Sequence, residues 1–237
     1  MSSNMNSDSL SLKLDPFTGS VQPNRLAKLP VYTRKEEIFN CISHGLGILM
    51  SIAILVILVA FAAIKADPWR IVAFSVYGFT LLFLYTSSTL YHSIYEQRIR
   101  SVLRRFDHSS IYLVIAGSYT PLTLIAMRNV WGWSLFGIVW ATTIVGIFLN
   151  IFAFEKAKKF SLFVYLAMGW AALLALKPIL ASVPTGFFFW LLTSGLCYTI
   201  GVIFYVGEKI PFNHAIWHIW VLAGSFTYFL GLAFYLA

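Results

Sequence analysis

The sequence predicts an all-α membrane protein: a seven-transmembrane helix bundle with a cytosolic N-terminus and its C-terminus outside. Three observations predict it. Hydrophobic residues make up 59% of the 237-residue chain and charged residues only 11%, where a soluble domain carries about 25%. The apolar residues gather into seven runs, each near the ~20 residues that a helix needs to cross the hydrocarbon core. Lys and Arg concentrate in alternate connections, as they do when those connections stay in the cytosol.

Residues 1–35 are polar, rich in Ser, Asn and Lys, and broken by Pro16, Pro23 and Pro30. No apolar stretch follows a basic start within them, so they read as a disordered cytosolic tail and not as a cleavable signal peptide. Residues 36–237 form the membrane domain. Its apolar runs cover about 38–64, 71–95, 107–127, 131–153, 161–180, 186–207 and 214–236. Runs of this length are helices, because an open strand would leave backbone groups unsatisfied in lipid. The connections are short and there is no internal repeat. Pro121, within the third run, should free a carbonyl and bend that helix. Cys41 begins the first run and Cys197 lies mid-way along the sixth, so they sit at different depths and read as free thiols.

Seven spans place the termini on opposite sides. Lys13, Arg25, Lys28, Arg34, Lys35, Arg98, Arg100, Arg104, Arg105, Lys156, Lys158, Lys159 and Lys209 fall on the N-terminal side. Only Lys65, Arg70, Arg128 and Lys177 fall on the other. The positive-inside rule puts the richer side in the cytosol, and the +8 formal charge belongs to this bias. No basic face or recognition motif points to nucleic acid.

His214 and His218, in PFNHAIWHIW, stand one turn apart on one helix face. Ionisable side chains entering a membrane are costly unless paired, so such a pair calls for a function. The topology places His92 at the cytosolic end of span two, Asp107 at the start of span three, His214 and His218 at the start of span seven, and His44 in the first turns of span one. All five histidines, His108 included, then lie at one depth, each within about two turns of its helix end at ~1.5 Å per residue. Three neutral imidazoles with an open fourth position make a catalytic-type zinc site, and His92, His214 and His218 supply three. A helix N-terminus disfavours imidazolium, and the neutral ring is the one that binds metal. Zinc suits all-nitrogen ligation best, with iron, nickel and copper left open by ligand type. Asp107 can orient or deprotonate a water acidified by the metal, or else cap span three. Ser88 precedes His92 by one turn and shares its face. His44, with Glu37 and Asn40 nearby, reads as packing or a polar network around the site. His108 points about 100° away from Asp107 and reads as packing.

The segments EEIFNCISHG (36–45), STLYHSIY (88–95), RRFDHSSIYLVIAGSYTP (104–121) and IPFNHAIWH (210–218) resemble the hemolysin III family of the progestin and adipoQ receptor group, which includes the adiponectin receptors. YLAMGW (165–170) and GVIFY (201–205) resemble its bacterial branch. The resemblance covers residues 34–237. It implies seven spans, a cytosolic N-terminus, a bacterial plasma-membrane location, and zinc held by His92, His214 and His218, with Asp107 reaching zinc through water and Ser88 beside it. The family is also similar to the alkaline ceramidases in its Ser, Asp and His pattern, which implies a lipid amide hydrolase.

The expected function is therefore a zinc-dependent hydrolase acting on an amide or ester of a membrane lipid at the inner leaflet. Asp107 would serve as general base, and Ser88 would orient water or stabilise an oxyanion. A non-enzymatic lipid sensor or receptor with structural zinc is the alternative. A pore-forming hemolysin is the weaker one, because the spans carry few polar lining residues. A homo-oligomer is compatible with the sequence.

Overall fold

The computed structural model describes residues 29–30, 32–207 and 209–237. The tail expected over residues 1–35 lies outside the described residues as far as residue 28. Arg34 and Lys35 already belong to the first helix.

Seven helices are long and apolar enough to cross a membrane. The first is α1 (Arg34–Ile64), followed by α2 (Pro68–Ser93) and α3 (Gln97–Pro121). Span four is α4 (Val130–Phe152). Span five is interrupted: α5 (Phe154–Gly169), a 3₁₀ segment (Ala171–Ala175) and α6 (Leu176–Ser182). Spans six and seven are α7 (Thr185–Val206) and α8 (Asn213–Tyr235). No strand occurs among the described residues.

Capping explains where the helices depart from the apolar runs. Thr33 and Glu36 form a reciprocal capping box at the start of α1, so the helix begins four residues before its apolar run. The Glu96 carboxylate accepts from the backbone N–H of Arg98 at 3.0 Å and of Ile99 at 2.7 Å. These N–H groups hold the Glu96 carboxyl below the usual range, and they start α3 ten residues before residue 107. Asp107 is therefore not a helix cap; it lies within α3. His44 likewise sits ten residues into α1, roughly 15 Å from its start at ~1.5 Å per residue, deeper than the run boundary suggests.

Breaks in the spans are satisfied locally, as lipid requires. Pro121 lacks an N–H, and after it the chain passes into a π-helical turn, Leu122–Ala126. The break in span five is bridged by Tyr119, whose hydroxyl donates to Gly169 O at 3.1 Å and accepts from Ala172 N at 2.8 Å. Trp170 Nε1 donates to Thr199 Oγ1 at 3.1 Å, joining spans five and six.

Consecutive spans one to four pack side by side, α7 packs along α8, and α8 returns against α1. The apolar window of span three is 67% buried within the protein, that of spans five and six 17%, so span three is central and spans five and six are peripheral. Side chains such as Leu49, Phe163 and Phe189 point outward, an apolar surface suited to lipid. Lipid tails supply no hydrophobic drive between helices, so close packing and interhelical hydrogen bonds hold the bundle. Ser225, fully buried on α8, accepts from Tyr77 through its carbonyl at 3.0 Å and from Tyr85 through its hydroxyl oxygen at 2.8 Å. Tyr198 OH lies 2.8 Å from the same hydroxyl. Tyr228 OH donates to Ser118 O at 2.6 Å. Spans two, three, six and seven are thereby tied at mid-depth.

Gly117 lets α2 and α3 approach closely: a Cβ there would lie 2.1 Å from Thr80 Oγ1 and 3.0 Å from Thr80 Cβ. Gly117→Val should lower the thermal midpoint of the detergent-purified protein, at an overpacking cost of about 1–3 kcal/mol. Gly137→Ala, whose Cβ meets nothing within 4 Å, should leave the midpoint unchanged or raise it slightly.

Candidate metal centre

At the end of the bundle where α1, α3 and α8 begin, three helices converge on a cluster of imidazoles. α2 ends there, and its S-x-x-x-H sequence places Ser88 and His92 on one face, one turn apart. Both are 1% exposed. α8 starts there, so His214 stands in its first turn and His218 in its second. One nitrogen from each of His92, His214 and His218 lies within 4.8 Å of the other two. That distance suits three ligands around one ion. The three histidines named from sequence are thus brought together.

Hydrogen bonding decides which nitrogens are free. His92 Nδ1 is 2.6 Å from the Glu37 carboxylate. A carboxylate only accepts, so Nδ1 carries the proton and Nε2 keeps its lone pair. The Asn40 amide nitrogen lies 3.4 Å from the same Nδ1. His218 Nδ1 donates to Asn40 O at 3.2 Å and lies 3.0 Å from Ser43 Oγ, which leaves Nε2 of His218 unprotonated as well. The Nε2 atoms of His92 and His214 are buried with no hydrogen-bond partner in the protein. Buried polar atoms are rarely left this way, and a cation that accepts their lone pairs accounts for them. The residues present therefore fit a divalent metal.

The remaining named residues stand close by. The Ser88 hydroxyl lies beside the Asp107 carboxyl, without a hydrogen bond of regular geometry. Asp107 is also within electrostatic reach of His92 and Arg104. His108 faces elsewhere: its ring packs edge-on to Phe154 at 5.1 Å, and its carbonyl accepts from Tyr165 OH at 2.8 Å.

The structure adds detail to the polar network read around His44 and brings in two residues that carried no sequence signal. His44 is stacked on His218, with ring centroids 3.5 Å apart and 12° between planes, and edge-on to Tyr85. Both of its ring nitrogens are buried and without partners. Arg100, from the first turn of α3, pairs with the Glu37 oxygen that does not face His92. Tyr32, just before α1, lies 5.2 Å from the His214 ring and 6.0 Å from the His92 ring, centroid to centroid. Burial first, then Tyr91, Tyr205, Glu37 and Asp107, push its phenol above the ordinary range. The clue available for α1 was its pattern. Glu37, Asn40 and His44 recur at helical spacing among apolar neighbours, and they form its buried polar face. Arg100 and Tyr32 offered none, since one was among many loop cations and the other adjoined a polar tail.

Beside the cluster the backbone holds one of the two non-glycine residues with positive φ among the described residues. Phe212, immediately before α8, has φ 56° and no side-chain cap. Its N–H donates to Glu36 Oε1 at 3.4 Å, and its ring packs edge-on to Phe39 at 5.2 Å. Glu36 and Phe39 of α1 thus set the entry of the chain into the helix that carries His214 and His218.

Comparison with known proteins identifies the family. A family described as haemolysin-III related matches residues 32–229, which takes in every residue of the cluster. The chain is 45% identical to the "Hemolysin-3 homolog" of Bacillus subtilis (strain 168) over 205 residues, 86% of this chain and 96% of the relative. It is 44% identical to "Hemolysin-3" of Bacillus cereus over 201 residues, 85% and 92% of the two chains. Similarity extends at 28% identity over 207 residues to the human "Monocyte to macrophage differentiation factor", covering 85% and 84%. With a family match across most of its length and two relatives of this identity along nearly their whole chains, the protein belongs to the haemolysin-III related family.

Proposed function

We propose that this protein is a metal-dependent hydrolase of membrane lipid, with zinc held by His92, His214 and His218 and an amide or ester linkage as the bond cleaved. The observation that carries the reading is the set of three clustered imidazoles, two of them with Nδ1 committed to acceptors, beside the Asp107 carboxyl and the Ser88 hydroxyl. Zinc bound there supplies Lewis acidity, polarising a carbonyl and making water acidic enough to deprotonate near neutral pH. Asp107 takes the proton from the attacking water and returns one to the leaving group. Ser88, one turn before His92, orients that water or donates to the oxygen on which negative charge develops. The ring of Tyr32 covers His214 and His92 on the side of the α1 start.

The site lies within the spans toward one end of the bundle, and a membrane lipid presenting its headgroup linkage at that end fits the reading. The Lys and Arg count places that end in the cytosol and supports the inner leaflet as the substrate's source. The same geometry also favours a second reading, in which the metal ties α2 to α8 and the protein responds to lipid without turnover. His92 and His218 come from those two helices and are almost fully buried.

Turnover separates these readings, and two further measurements test the metal and the topology on which they rest. Purified, metal-loaded protein should release fatty acid from a panel of ceramide-like amides and glycerolipid esters. Asp107→Asn should lower the rate by about 10²–10⁴-fold while keeping its metal; absence of turnover across the panel would overturn the hydrolase reading. Elemental analysis should find metal in the wild type and none in His214→Ala, and a chelator should lower the thermal midpoint of the wild type only. An enzymatic reporter active only outside the cytosol should be active when fused after Ala237 and silent when fused before Met1; the reverse pattern would move the site to the outer leaflet.

A further inference from the structure

Helix α1 supplies none of the three clustered ligands, yet its buried face touches two of them. Glu37, Asn40 and His44 occupy successive turns of that face, with the partly buried Ser43 beside them. Glu37 accepts from His92 Nδ1 at 2.6 Å. The Asn40 carbonyl accepts from His218 Nδ1 at 3.2 Å, with Ser43 Oγ at 3.0 Å from the same atom. His44 lies flat against the His218 ring. Of these contacts one is charged. Glu37 is 2% exposed, and a carboxylate buried in a membrane span persists only where its partners compensate it. Both oxygens are engaged: Oε2 with His92 and Oε1 with Arg100. The Arg100 guanidinium is itself held over the Tyr91 and Tyr95 rings, 5.1 Å and 5.9 Å from their centroids.

We propose that Glu37, held by Arg100, is the positioning residue of the metal centre, fixing the His92 ring with Nε2 toward the ion and strengthening it as a donor. The proposal rests on the reading that His92, His214 and His218 hold a metal. Three neutral imidazoles leave the full charge of a divalent ion in a buried site. A carboxylate on the far nitrogen of one ligand offsets part of that charge without entering the coordination sphere, keeping a position free for water or substrate. Carboxylate-to-histidine contacts of this kind fix the tautomer and raise ligand basicity. Without Arg100 on Oε1, the Glu37 side chain could turn toward the loop and release His92. His218 has only neutral acceptors on its Nδ1, so loss of its partner should matter less.

The test uses the full chain in lipid nanodiscs, stripped of metal and titrated with Zn²⁺ against a competing chelator, and with Co²⁺ followed by its visible absorption. Wild type should bind one ion per chain with the spectrum of a nitrogen-ligated site. Glu37→Gln, which keeps size but removes the charge and leaves one acceptor for the two donors of His92 and Arg100, should weaken binding roughly 10–100-fold and shift the Co²⁺ bands. Arg100→Gln, a change nearer the surface, should weaken binding in the same direction by less, and it tests the proposal even if the Glu37 variant does not fold. Ser43→Ala should have the smallest effect. Tyr77→Phe removes a buried α2–α8 hydrogen bond away from the site and should lower thermal stability without changing affinity or spectrum. Unchanged affinity and spectrum in folded Glu37→Gln, or in Arg100→Gln if the former does not fold, overturns the positioning role while the metal reading stands. A folded wild type that takes up no stoichiometric metal overturns both.

Discussion

The structure turns on the hydrogen bonds that commit Nδ1 of His92 and His218 to acceptors on α1. A neutral imidazole carries its proton on one nitrogen and its free lone pair on the other, so an acceptor at Nδ1 fixes the proton there and leaves Nε2 for a ligand. Glu37 and the Asn40 carbonyl are those partners. Because they lie on α1 while the rings lie on α2 and α8, the three helices must meet at one depth, and the packing follows. α1 runs against α2 and α8. Gly47 on α1 lies directly under the Tyr85 ring, 2.5 Å from where a Cβ would sit, so no larger residue would let α2 come as close.

Below the histidines, the bundle repeats the same solution with neutral groups. Tyr85 is edge-on to His44 and donates to Ser225, which also receives Tyr77 through its carbonyl. Polar groups inside a membrane protein are stable when each has a partner within the bundle. Here they form a continuous set from the cluster toward mid-depth, and it links the helices that carry the ligands. The polar atoms without partners stand out against it. Among the buried polar atoms without partners, Nε2 of His92, Nε2 of His214 and Oγ of Ser88 lie in the cluster and both ring nitrogens of His44 border it, as befits a site completed by something from outside the chain.

Much of this was legible in the residues. Apolar runs near membrane length are unambiguous because lipid admits few ways to satisfy a backbone. The i, i+4 spacing of His214 and His218, and the shared face of Ser88 and His92, follow from helix geometry alone. Helix starts were less legible, because hydropathy reports where lipid begins while a cap reports where hydrogen bonding begins. Glu96 starts α3 well before its apolar run, and this removes the reading of Asp107 as a cap. Span five was expected as one run, but the chain passes through a 3₁₀ segment that Tyr119 of span three supports.

The sequence by itself determined the class, the seven spans, and the placing of three histidines at one end of the bundle, since these depend on composition, on the distribution of Lys and Arg between connections and on periodicity within single helices. Tertiary structure alone decided that Glu37 holds His92, that Arg100 holds Glu37, that His44 stacks on His218, and that Tyr32 covers the cluster. Each of these joins residues from different helices or from a flanking segment. The partner of a buried polar group is chosen by which helix packs beside it, and no spacing along one chain segment encodes that choice.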